Sequence, residues 1–279
     1  MSEYDALRDL ARDVALEAAE LVRARRREGV EVSATKSSPV DIVTEVDEAA
    51  EALVHDRLMG ARPQDGFVGE EGASSQSASG VTWIVDPIDG TVNFLYGIPQ
   101  YAVSIAASKD GTVVAGVVVN VTSGECFAAT LGGGATCNDE PLRVRGPVPM
   151  SQRLVATGFS YSVDVRAKQA PAVGALLGRV RDIRRLGSAA LDLCGIGAGR
   201  ADGYVEEGLN SWDMAAGGLV ATEAGARLET RVGVGGLTCV ICAPEDGFDA
   251  FVDLVEDCGF VQRMEHAVPG KRPARFSPE

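Results

Sequence analysis

No run of roughly eighteen or more apolar residues occurs in the sequence, which excludes a membrane-spanning helix. Proline is sparse, at 12 of 279 residues, and 46% of the chain is apolar, so a disordered polymer is excluded as well. Positive charge is short: 26 Lys and Arg face 40 Asp and Glu, a net charge of -14. A nucleic-acid surface needs a basic stripe, and only RARRR (23–27) and RVRDIRR (179–185) approach one. Both read as solvated or salt-bridged surface. The acidic balance leaves a phosphorylated substrate open, because bound divalent cations invert the local field. The six cysteines show no disulfide framework. TCVIC (238–242) spaces two of them like a zinc knuckle, but no second pair or nearby histidine completes four ligands. Buried free thiols and a reducing cytoplasm are the expectation. The opening MSEYDALRDL is acidic without an apolar core and reads as a helix start, not an export signal.

The length accommodates one large domain or two lobes. Leu7, Leu10, Val14, Ala18, Leu21 and Val22 recur at helical spacing and predict a helix over 4–27. Residues 28–46 look irregular, and a second helix is expected from Asp47 to about Met59. GFVGEE (66–71) and VTWIVD (81–86) read as strands separated by a small polar loop. Apolar runs at 101–107 and 112–121 flank KDG, a hairpin signal. RVRGPVPMSQ (143–152) reads as a connector. Strands and helices then alternate, with a helix over 164–180 interrupted at its proline, and others from Ser188, Trp212 and 247. The expected architecture is α/β: an N-terminal α+β lobe over 1–150 and a C-terminal α/β lobe over 151–279.

Asp47, Glu70, Asp86, Asp89 and Asp213 stand at the ends of apolar segments. Singly, Asp47 and Asp213 serve helix starts, and Glu70 and Asp86 mark strands meeting solvent. Together they supply the hard oxygen ligands that Mg²⁺ prefers. Clustered without cations, they would repel one another. A tight turn between Asp86 and Asp89 would aim both inward and could turn the Ile88 carbonyl toward an ion. Gly90 permits close backbone approach, and Gly90 and Thr91 offer N–H groups to a phosphate at a short helix start. The Thr91 hydroxyl can orient water with Asp47 as its carboxylate partner.

These motifs, read together, resemble the inositol monophosphatase family of Mg²⁺-dependent phosphatases, most closely its bacterial inositol-1-phosphatase type. The resemblance rests on GEE (69–71), WIVDPIDGTVNF (83–94) and SWDMAAGGLVATEAG (211–225), with KSSPVDIVTEVD (36–47) and GSAALDLCGIGAGRADGYVEEG (187–208). It spans nearly the whole chain in order. It implies a layered α-β-α-β-α fold and two or three Mg²⁺ ions. Glu70, Asp86 and the Ile88 carbonyl would hold the first, and Asp86, Asp89 and Asp213 the second. Glu70 would also help a third. Thr91 and Asp47 resemble the water-activating pair. Glu206 resembles the acid that binds inositol hydroxyls, and Ser188 and Ala189 the segment beside the substrate ring. Lys36 is expected at the rim of the metal site, and Arg184 or Arg185 near the mouth or a subunit interface. Neither His55 nor His266 matches a catalytic position, which argues against a phosphohistidine route.

The resemblance implies hydrolysis of myo-inositol 1-phosphate, with histidinol phosphate as the runner-up substrate. Fructose 1,6-bisphosphate would want a second cationic pocket, which the sequence does not display. Lithium sensitivity and a homodimer also follow from the resemblance alone. A non-catalytic regulatory protein on this fold is disfavoured by the complete ligand set.

Overall fold

The computed structural model describes residues 2–29, 32–35 and 42–262; Lys36 and His266 lie outside them. Helix α1 (Glu3–Glu28) starts at a capping box between Ser2 and Asp5 and buries Leu7, Ala11, Val14, Ala18 and Val22 along one stripe. The segment expected to be irregular holds two short antiparallel strands, β1 (Val32–Thr35) and β2 (Ile42–Thr44). Helix α2 (Glu45–Ala61) begins before Asp47, because Thr44 is its N-cap and Asp47 completes the capping box.

The first sheet contains β3 (Gly66–Gly69), β4 (Ser74–Ser75), β5 (Val81–Asp89), β6 (Ala102–Lys109), β7 (Thr112–Asn120), β8 (Cys126–Thr130), β9 (Gly134–Cys137) and β10 (Glu140–Pro141). Their spatial order is β10-β9-β8-β7-β6-β5-β3-β4. The pairing is antiparallel throughout except between β3 and β5. Asp110 and Gly111 both adopt positive φ, 49° and 80°, and close the expected hairpin from Lys109 to Thr112. The short helix α3 (Thr91–Tyr96) follows β5.

The second sheet contains β11 (Leu154–Thr157), β12 (Asp182–Arg184), β13 (Gly203–Glu207), β14 (Ala226–Val232) and β15 (Thr238–Pro244), in the order β12-β11-β13-β15-β14. Helices α4 (Val163–Leu177), α5 (Ala189–Gly197), α6 (Ser211–Glu223) and α7 (Phe248–Cys258) punctuate these strands. Pro171 does not interrupt α4. The ring is exposed, and the missing N–H is tolerated while Gln169, Ala172 and Leu176 pack inward.

Strand alternation explains the layers. Trp83 and Val85 of β5 point into a core shared with α1 and α2, whereas Ile84 points the other way, toward α5 and α6. On the second sheet Val240 and Cys242 face α5 and α6, while Cys239 and Ile241 join a core with α4 and α7. The result is the expected α-β-α-β-α stack. Ala215, Ala216, Gly217 and Gly218 are buried in α6, and their small size lets it fit between two sheets. The same alternation puts Cys239 and Cys242 on opposite faces of β15, so they cannot share a metal. All six cysteines are free.

Candidate metal centre and substrate cavity

Sheet register brings the first carboxylates together. Gly69 pairs with Val85, and the Glu70 N–H donates to the Val85 carbonyl at 3.1 Å. Glu70 and Asp86 therefore emerge at the same end of neighbouring parallel strands. The tight turn expected between Asp86 and Asp89 is instead a β-bulge within β5. Asp86 pairs with Ser104 and Asp89 with Ala102, so three steps on β5 face two on β6. Pro87 sits in the bulge, where a missing N–H is tolerated. The Ile88 N–H donates to Asp86 Oδ1 at 3.0 Å. Gly90 ends the strand at φ 98°, a left-handed conformation that glycine adopts without strain, and α3 begins at Thr91.

Asp213 arrives from the other half of the chain. It occupies the first turn of α6 and accepts from the Asn210 N–H at 2.6 Å. Carboxylate oxygens of Asp86, Asp89 and Asp213 lie within 4.8 Å of one another. Burial pushes Asp86 well above the usual carboxylate range, and the charges of Glu70, Asp89 and Asp213 push it further. Burial likewise raises Asp213, with Asp89 and Glu70 adding to the effect. Asp89 is pushed up to about 6 by burial, opposed by the hydrogen bonds it accepts. An all-oxygen set of mutually repelling carboxylates fits a hard divalent cation such as Mg²⁺. Glu70 lies outside this tight trio but lines the same cavity.

Asp47 is fully buried, and its Oδ2 accepts from the Thr44 N–H at 2.9 Å and from the Thr44 hydroxyl. Its Oδ1 lies 3.1 Å from Thr91 Oγ1, which is also 3.1 Å from the Ile88 carbonyl. One hydroxyl proton serves one of these acceptors at a time. Burial raises Asp47 to about 6 against the lowering effect of its donors.

Ser188 departs from the expected ring contact. It is buried, and its hydroxyl donates to Asp89 Oδ2. Ala190 N–H donates to the same oxygen at 2.8 Å, and Ala189 N–H reaches Oδ1 at 3.3 Å. The start of α5 thus clasps Asp89 across 99 residues of sequence. Ala189 lines the cavity.

Glu206 and Glu207 are neighbours on β13, and strand alternation gives them different partners. Glu206 accepts from the Tyr204 hydroxyl at 2.8 Å, while Glu207 is buried and accepts from Leu237 N–H at 3.1 Å and the Gln169 amide at 3.3 Å. Burial raises Glu206 to about 7, opposed by the Tyr204 hydrogen bond and the charge of Arg185. The cavity has a volume of about 540 Å³ and joins the metal-ligand candidates to Gly90, Thr91 and Glu206.

Two supporting residues were assigned no role from the sequence: Glu51 lies outside the motifs, and Asn93 lies within WIVDPIDGTVNF. Glu51 accepts from Glu71 N–H at 2.8 Å and Ala73 N–H at 3.0 Å, fixing the loop that follows Glu70. Its buried place on α2, at helical spacing from Asp47, is the only sequence cue. Asn93 donates to the Gln100 carbonyl at 2.7 Å and the Leu186 carbonyl at 2.8 Å, tying the α3 region to the loop before Ser188.

A five-layer α/β fold with carboxylates from both halves converging on one cavity defines a divalent-metal enzyme scaffold. The model of the inositol monophosphatase family matches residues 3–249, and the chain belongs to that family. Inositol-1-monophosphatase SuhB of Mycobacterium tuberculosis is 47% identical over 259 residues, covering 85% of this chain and 89% of that protein. Inositol-1-monophosphatase of Mycobacterium leprae is 46% identical over 276 residues, covering 91% and 95% respectively. Among solved structures, extragenic suppressor protein SuhB of Bartonella henselae superposes with a TM-score of 0.83 at 33% identity, covering 90% of this chain and 98% of that one. No helix among the described residues is long and apolar enough to cross a membrane.

Proposed function

We propose that the chain is a Mg²⁺-dependent phosphomonoesterase that converts myo-inositol 1-phosphate to inositol and inorganic phosphate. The observation that carries this is the trio Asp86, Asp89 and Asp213, with oxygens within 4.8 Å, in one cavity with Thr91, whose hydroxyl is hydrogen-bonded to the buried Asp47. The names of the mycobacterial relatives support the substrate. Glu70, Asp86, the Ile88 carbonyl, Asp89 and Asp213 are the residues assigned to hold two or three Mg²⁺ ions. Bound there, Mg²⁺ supplies water activation and neutralises charge developing on the phosphate.

The protein groups have separate tasks. Thr91 Oγ1 orients the attacking water, and Asp47 Oδ1 takes up the proton relayed through that hydroxyl. Gly90 and Thr91 present backbone N–H groups toward the phosphate, where no side chain at Gly90 blocks approach. Ser188, Ala189 and Ala190 hold Asp89 in orientation. Glu206, braced by Tyr204, accepts from ring hydroxyls of the leaving alcohol. The halves 1–150 and 151–279 act as lobes whose junction is the cavity. A homodimer in the cytoplasm is part of the same proposal.

Phosphate release should require Mg²⁺ and fall at least a hundredfold in Asp89→Asn and Asp213→Asn, as loss of a coordinating charge demands. Full activity in either folded variant would sink the ligand assignment. Higher specific activity on histidinol phosphate than on inositol 1-phosphate would overturn the substrate.

A further inference from the structure

Six acidic residues line the cavity: Glu70, Asp86, Asp89, Glu206, Glu207 and Asp213. Arg185 is the sole cationic residue in the wall among the described residues. Its neighbour Arg184 is held by Asp182 at 2.6 Å. No described carboxylate lies within salt-bridge distance of Arg185, and no described group accepts a hydrogen bond from it.

The backbone fixes where this cation sits. A Cβ added to Gly187 would stand 2.5 Å from Arg185 Nη1, so the guanidinium lies folded against the bare Gly187 backbone. The Gly187 carbonyl in turn lies 3.0 Å from the place of a Cβ on Gly90. Guanidinium, Gly187 and the turn at Gly90–Thr91 are therefore contiguous. Glu206 lines the same cavity, and its carboxylate occupies space that a Cβ on Gly158 would invade at 2.1 Å. The charge of Arg185 acts on Glu206 and on Asp192, a buried α5 residue whose Oδ2 has no hydrogen-bond partner.

We propose that Arg185 is a specificity residue that, together with Glu206 in the same cavity wall, selects phosphate esters of neutral polyols and rejects those of ammonium-bearing alcohols. The inference rests on the phosphomonoesterase function proposed above. Hydroxyl groups both donate and accept, so adjacent hydroxyls can donate to Glu206 and accept from Arg185 at once. An ammonium group only donates. It would satisfy Glu206, leave the Arg185 donors without an acceptor, and meet a like charge. Carboxylate alone would favour a cationic alcohol; the nearby guanidinium reverses that preference. Arg185 also supplies a planar fork that lysine cannot reproduce.

The test compares wild type with Arg185→Gln and Arg185→Lys, measuring kcat and KM on inositol 1-phosphate and histidinol phosphate at saturating Mg²⁺. Arg185→Gln should raise KM for inositol 1-phosphate about tenfold, the usual scale for a lost charged hydrogen bond, with kcat within about twofold. Its kcat/KM for histidinol phosphate should rise about threefold to tenfold. Arg185→Lys should keep the discrimination against histidinol phosphate while losing part of the polyol affinity. Equal changes on both substrates, as a disturbed fold or subunit contact would give, overturn the inference. So does no change on either. Wild type that hydrolyses neither substrate would refute the broader function. Active wild type with indifferent Arg185 variants would refute this assignment alone.

Discussion

Replacing Ser188 with alanine removes one of the three donors that hold Asp89. A hydrogen bond to a charged group contributes roughly 1.5–3 kcal/mol. Since each pH unit corresponds to about 1.4 kcal/mol, Asp89 should become harder to ionise by about one to two pH units. It is already pushed up to about 6 in the metal-free protein, so the variant carboxyl would hold its proton at neutral pH. Protons and Mg²⁺ compete for that oxygen, and loss of an orienting partner typically weakens metal affinity about 10–100-fold. The Mg²⁺ concentration for half-maximal phosphate release should therefore rise by that factor at about pH 6.5 and by less at about pH 8, where ionisation is easier. Ser188 also caps α5, its hydroxyl accepting from Leu191 N–H at 3.4 Å, so a stability loss of about 1 kcal/mol should accompany the change. Ser188→Thr keeps the hydroxyl and should restore most of the Mg²⁺ response. Calorimetric Mg²⁺ titration and activity curves at both pH values check this. A Ser188→Ala protein with lowered Tm but a Mg²⁺ requirement within about twofold of wild type at both would refute the reasoning.

Gly158→Ala should displace Glu206, since the new Cβ would fall 2.1 Å from its carboxylate; steady-state kinetics should show KM for inositol 1-phosphate rising about tenfold or more with the Mg²⁺ response unchanged. Divalent-cation stabilisation should grow with pH. Asp47 and Asp89 are raised to about 6 in the folded protein, so their contribution to metal-free stability is present below about pH 4 and is lost as pH climbs through about 6; Asp86 and Asp213, also raised by burial, act in the same direction. The rise in Tm on adding Mg²⁺ should consequently be larger at about pH 8 than at about pH 5.5 by scanning calorimetry, and a pH-independent rise would contradict it. Phe251→Ala removes a fully buried ring from the core between the second sheet and its outer helices, and urea unfolding should show a loss of about 3–5 kcal/mol.

Much of the scaffold was legible locally. The apolar stripe of α1, the KDG hairpin and the strand ending in DPIDG each depend on neighbours a few residues away. Where a long-range partner intervenes, local rules fell short. Pro171 reads as a break, yet α4 continues through it because its buried face docks on the second sheet's outer core. Asp86 and Asp89 read as flanking a turn, but pairing with β6 keeps them in one strand with a bulge. The second helix was expected to begin at Asp47 and begins at Glu45, because Thr44 takes the cap.

The sequence by itself determined the chemistry available: hard oxygen ligands, a glycine beside a hydroxyl, and no histidine or cysteine suited to replace them. Only the tertiary structure decided which of these groups meet. Register places Glu70 beside Asp86, α6 carries Asp213 between two sheets to join Asp89, and α5 turns Ser188 onto Asp89 instead of the cavity. Strand alternation gives Glu206 to the Tyr204 hydroxyl and ties Glu207, also in the cavity wall, to Leu237 and Gln169, and a bare glycine lets Arg185 fold toward the cavity. Residue type sets proton affinity and ligand preference, which act at bonding distance. Convergence over a hundred residues is set by packing of whole elements, and no short segment contains that information.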